Sequence, residues 1–173
     1  SYASGTGTEA DPFIIENVEQ LFKMVKEYGK DSSGNAAYFK VADDVDVIDI
    51  NDISDFDFSN PDFTNLNNWM TGLSYDIGGD NTGKSFAGKF DGNGATISGL
   101  YAYSASYNSV GFIPSAADGA EIKNVYFESA YVSNAQASGR EGVAAVIGRL
   151  NEGFTGAAKI SKVSVHNCTV SSR

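Results

Sequence analysis

Apolar residues recur along this chain with two different periods, and the change between them divides it. Val18, Leu21, Phe22, Val25 and Tyr28 fall at i, i+3, i+4, i+7 and i+10, on one face of a helix. Asn17 stands before the stripe as an N-cap, and Gln20 three residues later completes a capping box. Gly29 follows as the C′ residue, so the pattern predicts a helix over 18–28 that covers a core with its single stripe. Ahead of it, "SYASGTGTEADPF" reads as an irregular lead-in and "FII" (13–15) as a short strand.

The period then shortens to two. "AAYFKVADDVDVIDI" (36–50) sets Val45 and Val47 against Asp44 and Asp46. Residues 51–83 are rich in Asp, Asn and Gly and contain the single tryptophan, Trp69. Such a long excursion in a compact domain tends to be functional or mobile. From residue 86 short β runs alternate with Gly or Asn/Asp turns, beginning with "FAGKFDGNGATISGL" (86–100).

These runs repeat. "IKNVYFESAYVSN" (122–134) aligns without gaps on "ISKVSVHNCTVSS" (160–172), an offset of 38 that keeps Ile122/Ile160, Val125/Val163, Phe127/Val165 and Val132/Val170 apolar. "ISGLYAY" (97–103) matches the start of the same unit, with Ile97 and Leu100 at its first two core positions. "VGFIP" (110–114) and "VAAVIG" (143–148) stand ahead of the two later copies. A repeat of this size buries its apolar face only by stacking on its neighbours. Short strands with inward Ile, Val, Leu and Phe suit the coils of a parallel β-helix. A β-sandwich is the competing fold. The expected organisation is one all-β domain over 1–173, part of a larger protein. Its entry strand and capping helix occupy 1–35, an Asp-rich strand and long loop 36–85, and repeat coils 86–173.

Charge sharpens the middle of this picture. The chain has 173 residues and a net charge of −10. The segment 41–83 holds Asp43, Asp44, Asp46, Asp49, Asp52, Asp55, Asp57, Asp62, Asp76 and Asp80 and no Lys or Arg, while the remaining acids and bases balance. Such a field repels phosphate backbones, which disfavours nucleic acid as a partner. No window approaches the roughly 18 apolar residues of a membrane span.

The order of pieces resembles the bacterial GLUG-motif family of cell-surface and adhesin-like repeats, also found beside IgA-protease-type metallopeptidases. "DPFIIENVEQL" is similar to that family's entry strand and helix, "YFKVADDVDV" (38–47) to its next segment, and 86–100 to its signature. "VGFIP" and "VAAVIG" stand for its "GLFG"-like pieces, with Pro114 and Ala145 as departures. The resemblance covers most of 9–172. It implies a right-handed β-helix, an extracellular or cell-surface location in bacteria, and an adhesive or structural role without catalytic residues.

Candidate chemistry is sparse. His166 occupies the repeat position of Glu128 and reads as a solvated residue. Cys168, the single cysteine, reads as a packing residue rather than a reactive thiol. Asp49, Asn51, Asp52, Asp55 and Asp57 supply the oxygens that calcium wants, though without EF-hand spacing, and a solvated acidic face is the favoured alternative. Tyr101, Tyr103, Tyr107, Tyr126 and Tyr131 fall at outward or turn positions and could form a shallow platform for a glycan or an extracellular or host protein. The preferred function is non-catalytic adhesion or ligand binding with no obligatory cofactor. A polysaccharide-active enzyme and a purely structural spacer are the alternatives.

Overall fold

A computed structural model describes residues 1–53, 56, 57, 59, 60, 66–73, 85–137, 142–150 and 156–172. In chain order the elements are β1 (Phe13–Ile15), α1 (Val18–Lys26), β2 (Tyr38–Val41), β3 (Val47–Asp49), β4 (Lys89–Asp91), β5 (Thr96–Ser98) and β6 (Tyr101–Ser104). There follow β7 (Ser109–Val110), β8 (Ile113–Ala116), β9 (Glu121–Glu128), β10 (Tyr131–Asn134), β11 (Gly142–Val143), β12 (Ile147–Leu150), β13 (Lys159–His166) and β14 (Thr169–Ser172).

Every strand pair among the described residues is parallel, which sets aside the β-sandwich. The sheets curl as a half-barrel around a shared interior. Three columns of inward residues run through the layers. Phe39, Phe90, Ile122 and Ile160 lie in register, as do Ile48, Ile97, Phe127 and Val165, and also Ala102, Val132 and Val170. Each large side chain fully buried in such a column contributes about 1.5–3 kcal/mol.

The offset of 38 is the true register of β9 on β13 and of β10 on β14. The placing of Ile97 over Ile122 is corrected: Phe90 takes that place, and Ile97 lies against Phe127. The cause is the turn at Asp91-Gly92-Asn93-Gly94. One continuous strand, β9, faces both β4 and β5, and the turn loops out between them where β9 makes only a bend at Asn124. A side chain on Gly92 would lie 2.5 Å from the Val125 Cβ and 2.6 Å from the Asn124 carbonyl oxygen, so only glycine lets the turn sit on the next layer.

The layers bend at two corners through left-handed residues. Asn93, Asn124 and Lys162 have φ of 53°, 55° and 52°, and Gly99, Ser129 and Asn167 have φ of 74°, 55° and 52°. Side chains stitch the first corner. Asn93 Nδ2 donates to Val41 O at 3.1 Å and Asp43 Oδ1 at 2.7 Å, while Asn124 Nδ2 donates to Asp91 Oδ1 at 3.1 Å.

Helix α1 covers one end. Asn17 Oδ1 accepts from Gln20 N at 3.0 Å, and Gln20 Oε1 accepts from Glu16 N at 2.7 Å. Leu21, Met24 and Val25 are its buried residues. The helix ends at Lys26 rather than Tyr28, and C′ is Tyr28 (φ 61°), not Gly29. Gly29 N bonds Met24 O and Tyr28 N bonds Val25 O, both at 2.9 Å, a Schellman closure displaced one residue from the expected one.

The layer at the other end of the described residues is exposed. Ile122, Phe127 and Val132 are at most 1% exposed, whereas their partners on the last layer, Ile160, Val165 and Val170, are 52%, 46% and 47% exposed.

The described part of the 51–83 excursion joins the core. Trp69, Met70 and Leu73 are buried. The indole stacks on Phe112 at 5.5 Å and meets Phe22 edge-on at 5.1 Å, and its N–H donates to Phe112 O at 2.9 Å. Trp69 N also donates to Tyr101 O at 2.7 Å, so this segment covers the free edge of β6. No described helix is long and apolar enough to cross a membrane.

Candidate functional site

The five tyrosines do not form one exposed platform. Tyr101 and Tyr131 are in register with ring centroids 5.9 Å apart, but both are buried, and Phe56 packs edge-on against Tyr131 at 6.1 Å. Burial, then the neighbouring Tyr103 and Tyr131, pushes the Tyr101 phenol up to about 12. Tyr103 is half-buried on the same strand, and Tyr107 donates its hydroxyl to Leu73 O at 2.7 Å. Tyr126 alone is well exposed, and it lies on a different sheet, between Thr96 and Ser164. Strand alternation puts Tyr101, Tyr103, Tyr126 and Tyr131 off the inward columns, but it could not show that Phe56 packs on Tyr131 or that Tyr107 packs against the core and bonds Leu73 O.

The acidic candidates are also dispersed. Asn51 is buried and fully engaged: its Nδ2 donates to Gly99 O at 2.9 Å and Asn67 O at 3.0 Å, and its Oδ1 accepts from Asn67 N at 2.7 Å. That side chain holds the excursion on the fold rather than facing an ion. Asp57 Oδ1 accepts from Ser59 Oγ at 2.6 Å and Ser59 N at 2.9 Å, which holds its carboxyl below the ordinary range. Asp49 is held above that range by desolvation and then by the charge of Asp52. Asp55 lies outside the described residues. Among the described residues no group of three or more His, Cys, Asp or Glu could hold a metal ion.

His166 sits where the repeat puts it, over Glu128, with Nδ1 2.8 Å from Glu128 Oε2. Cys168 is half-buried, its Sγ donates to His166 O at 3.2 Å, and burial pushes the thiol up. Both are consistent with packing and surface roles.

A site missed by sequence reasoning lies on the outer face of the main sheet. A groove of about 560 Å³ crosses β2, β4, β9 and β13, between the lead-in around Glu9 and Pro12 and the segment at Ala157. Two columns of outward residues line it. Tyr38, Lys89, Glu121 and Lys159 are in register, and so are Lys40, Asp91 and Lys123, two positions further along each strand. Inward Phe39, Phe90 and Ile122 stand between them, so the floor is rigid backbone over packed core.

The groove therefore gathers four of the chain's basic residues. Lys40 Nζ lies 3.0 Å from Asp43 Oδ1, whose carboxyl is held low by that bond and by Asn93. Lys89 donates to Gly119 O and stands 6.0 Å from the centroid of the Tyr38 ring. Lys123 and Lys159 make no ion pair with any described residue, although each lies in register with or diagonal to an acid. The Asp91 carboxylate accepts from Asn93 N at 2.8 Å and from Asn124 Nδ2. The expected register hid this cluster: Ile97 over Ile122 would set Lys89 against Pro114, away from the other lysines.

A scan against protein-family models finds no match to this chain, and searches of curated proteins and of solved structures find none either.

Proposed function

We propose that this chain is a non-catalytic binding module of a bacterial extracellular or cell-surface protein, of the GLUG type, wound as a right-handed parallel β-helix and joined to further domains. The β-helix reading is supported by the parallel columns, the two left-handed corners and the register of 38 residues. The observation that carries the binding reading is the groove across β2, β4, β9 and β13. It combines an aromatic ring, Tyr38, with two lysines, Lys123 and Lys159, that form no ion pair among the described residues, on a rigid floor. Such a surface fits an extended ligand lying across the strands, a glycan or a peptide segment.

The enzyme alternative draws on the carboxylates in the same groove. Asp91 is committed to Asn93 and Asn124, which weighs toward holding a ligand rather than moving a proton. A spacer role would leave the groove without an occupant.

A glycan array combined with a panel of extracellular matrix proteins tests this reading. The expected result is binding of an extended ligand that Tyr38→Ala weakens while the far-UV spectrum and melting temperature stay unchanged. Absence of binding across both panels sinks it in favour of the spacer, and product release from a polysaccharide sinks it in favour of the enzyme.

A further inference from the structure

We propose that the ligand of the groove is an acidic polysaccharide, a linear sugar polymer with regularly spaced carboxylates, lying across the strands. This rests on the reading of the groove as the ligand site.

The argument begins with where the cations stand. Each strand crossing the groove brings one lysine, and successive strands bring it in alternate columns: Lys40 on β2, Lys89 on β4, Lys123 on β9, Lys159 on β13. Neighbouring parallel strands lie about 4.8 Å apart, so lysines within one column recur at about 10 Å. The two columns are separated by two residues of strand, roughly 6.6 Å. The result is a zigzag of positive charge running across the sheet. A polymer whose successive units turn opposite faces presents its charges in the same staggered way.

The positions between the lysines say which polyanion fits. Asp91 and Glu121 occupy the complementary places on the two inner strands, and Glu9 stands at the margin. Carboxylates there repel a dense phosphate chain but accept hydrogen bonds from hydroxyl groups. A sugar acid supplies both functions, a carboxylate for each lysine and hydroxyls for each acid between them. Tyr38, at the β2 end of the column, adds a ring face for a pyranose.

The lysines are not equivalent. Lys40 and Lys89 already have partners in Asp43 and Gly119, whereas Lys123 and Lys159 have no ion pair among the described residues. Of these two, Lys123 is half-buried and Lys159 exposed, so the contact of Lys123 with ligand is the less screened.

The test measures binding of the whole chain to three probes by isothermal titration at low and high salt. They are polygalacturonate, its fully methyl-esterified form, and linear polyphosphate. Expected are binding of polygalacturonate, weakening by salt and by esterification, and a loss of about tenfold in Lys123→Ala, the scale of one charged hydrogen bond. Lys159→Ala should lose less, and Lys26→Ala on the distant helix should change nothing. Equal binding of the esterified polymer overturns the charge assignment while leaving the groove as ligand site. Polyphosphate binding more tightly than polygalacturonate overturns the sugar assignment. A Lys123→Gln variant that folds normally and binds polygalacturonate like the parent overturns the placement. If no probe binds and the array and protein panels are also silent, the groove reading itself falls.

Discussion

Asn68 grips the peptide of Tyr103 on both sides: its Nδ2 donates to Tyr103 O and its Oδ1 accepts from Tyr103 N, each at 2.9 Å. A side-chain amide thus does for β6 what a neighbouring strand does for the others, and satisfies an edge that would otherwise stand open. Asn68→Ala should lower unfolding free energy by about 1–3 kcal/mol, since three backbone groups, Tyr103 N, Tyr103 O and Met70 N, lose this partner together. Asn68→Asp should lose nearly as much, because a carboxylate cannot donate to the Tyr103 carbonyl. Urea denaturation checks both, and parent-like stability in Asn68→Ala would rule the clamp out.

Trp69 couples the excursion to the core through its ring and its N–H. Trp69→Phe keeps much of the ring contact with Phe112 but leaves the Phe112 carbonyl without its donor, at a cost of about 1–3 kcal/mol. Trp69→Ala should cost about 3–5 kcal/mol through the cavity it leaves. In the parent, tryptophan fluorescence should be blue-shifted and should move to the red in the same transition that melts the sheets. Two separate transitions would mean that the excursion is not part of the cooperative unit.

Lys162 carries a left-handed corner at φ 52° where the two layers before it use Asn124 and Asn93. Lysine gains nothing from that conformation, whereas asparagine tolerates it through local hydrogen bonding. Lys162→Asn should therefore raise stability by a few tenths to about 1 kcal/mol, read as a higher melting temperature. A fall in melting temperature would mean that the lysine side chain contributes more at this corner than the backbone conformation costs.

Asp49 and Asp43 should answer acid in opposite senses. Desolvation, followed by the charge of Asp52, raises the folded-state pKa of Asp49, so its ionised form opposes folding at neutral pH. As pH falls through that raised value the folded protein takes up the proton first, and the penalty is relieved. Asp49→Asn should therefore be more stable than the parent at neutral pH, with the difference vanishing in acid. Asp43 is held low by the Lys40 and Asn93 hydrogen bonds, so its contribution is present above the ordinary carboxylate pKa and fades as pH falls through its lower folded value. Melting temperatures of Asp49→Asn and Asp43→Asn across pH check the pair, and parallel profiles would refute the assignment.

The contrast between what could and could not be read from the chain is itself physical. Ile122 over Ile160 was legible because the two layers have equal length and bend at equivalent residues, Asn124 and Lys162, Ser129 and Asn167. Ile97 was misplaced because the Gly92–Gly94 turn adds length without adding a strand position, which ungapped alignment cannot register. Trp69 lies among Asn67, Asn68 and Thr71, so no periodicity marked it as core. The lysine zigzag was invisible for a related reason: its members are far apart in sequence and converge only when the register of β4 on β9 is known.

The uncovered last layer has a consequence for how the molecule comes apart. Among the described residues β13 and β14 each pair on one side only, and their aliphatic residues meet water, so the amides of Ile160–Val170 have the least holding them in place. Opening should then travel as a zipper, from this bare terrace toward the helix-covered end. Deuterium uptake would climb the stack layer by layer, and any strand with aliphatic residues at alternate positions that settled on the terrace would slow it from that side alone.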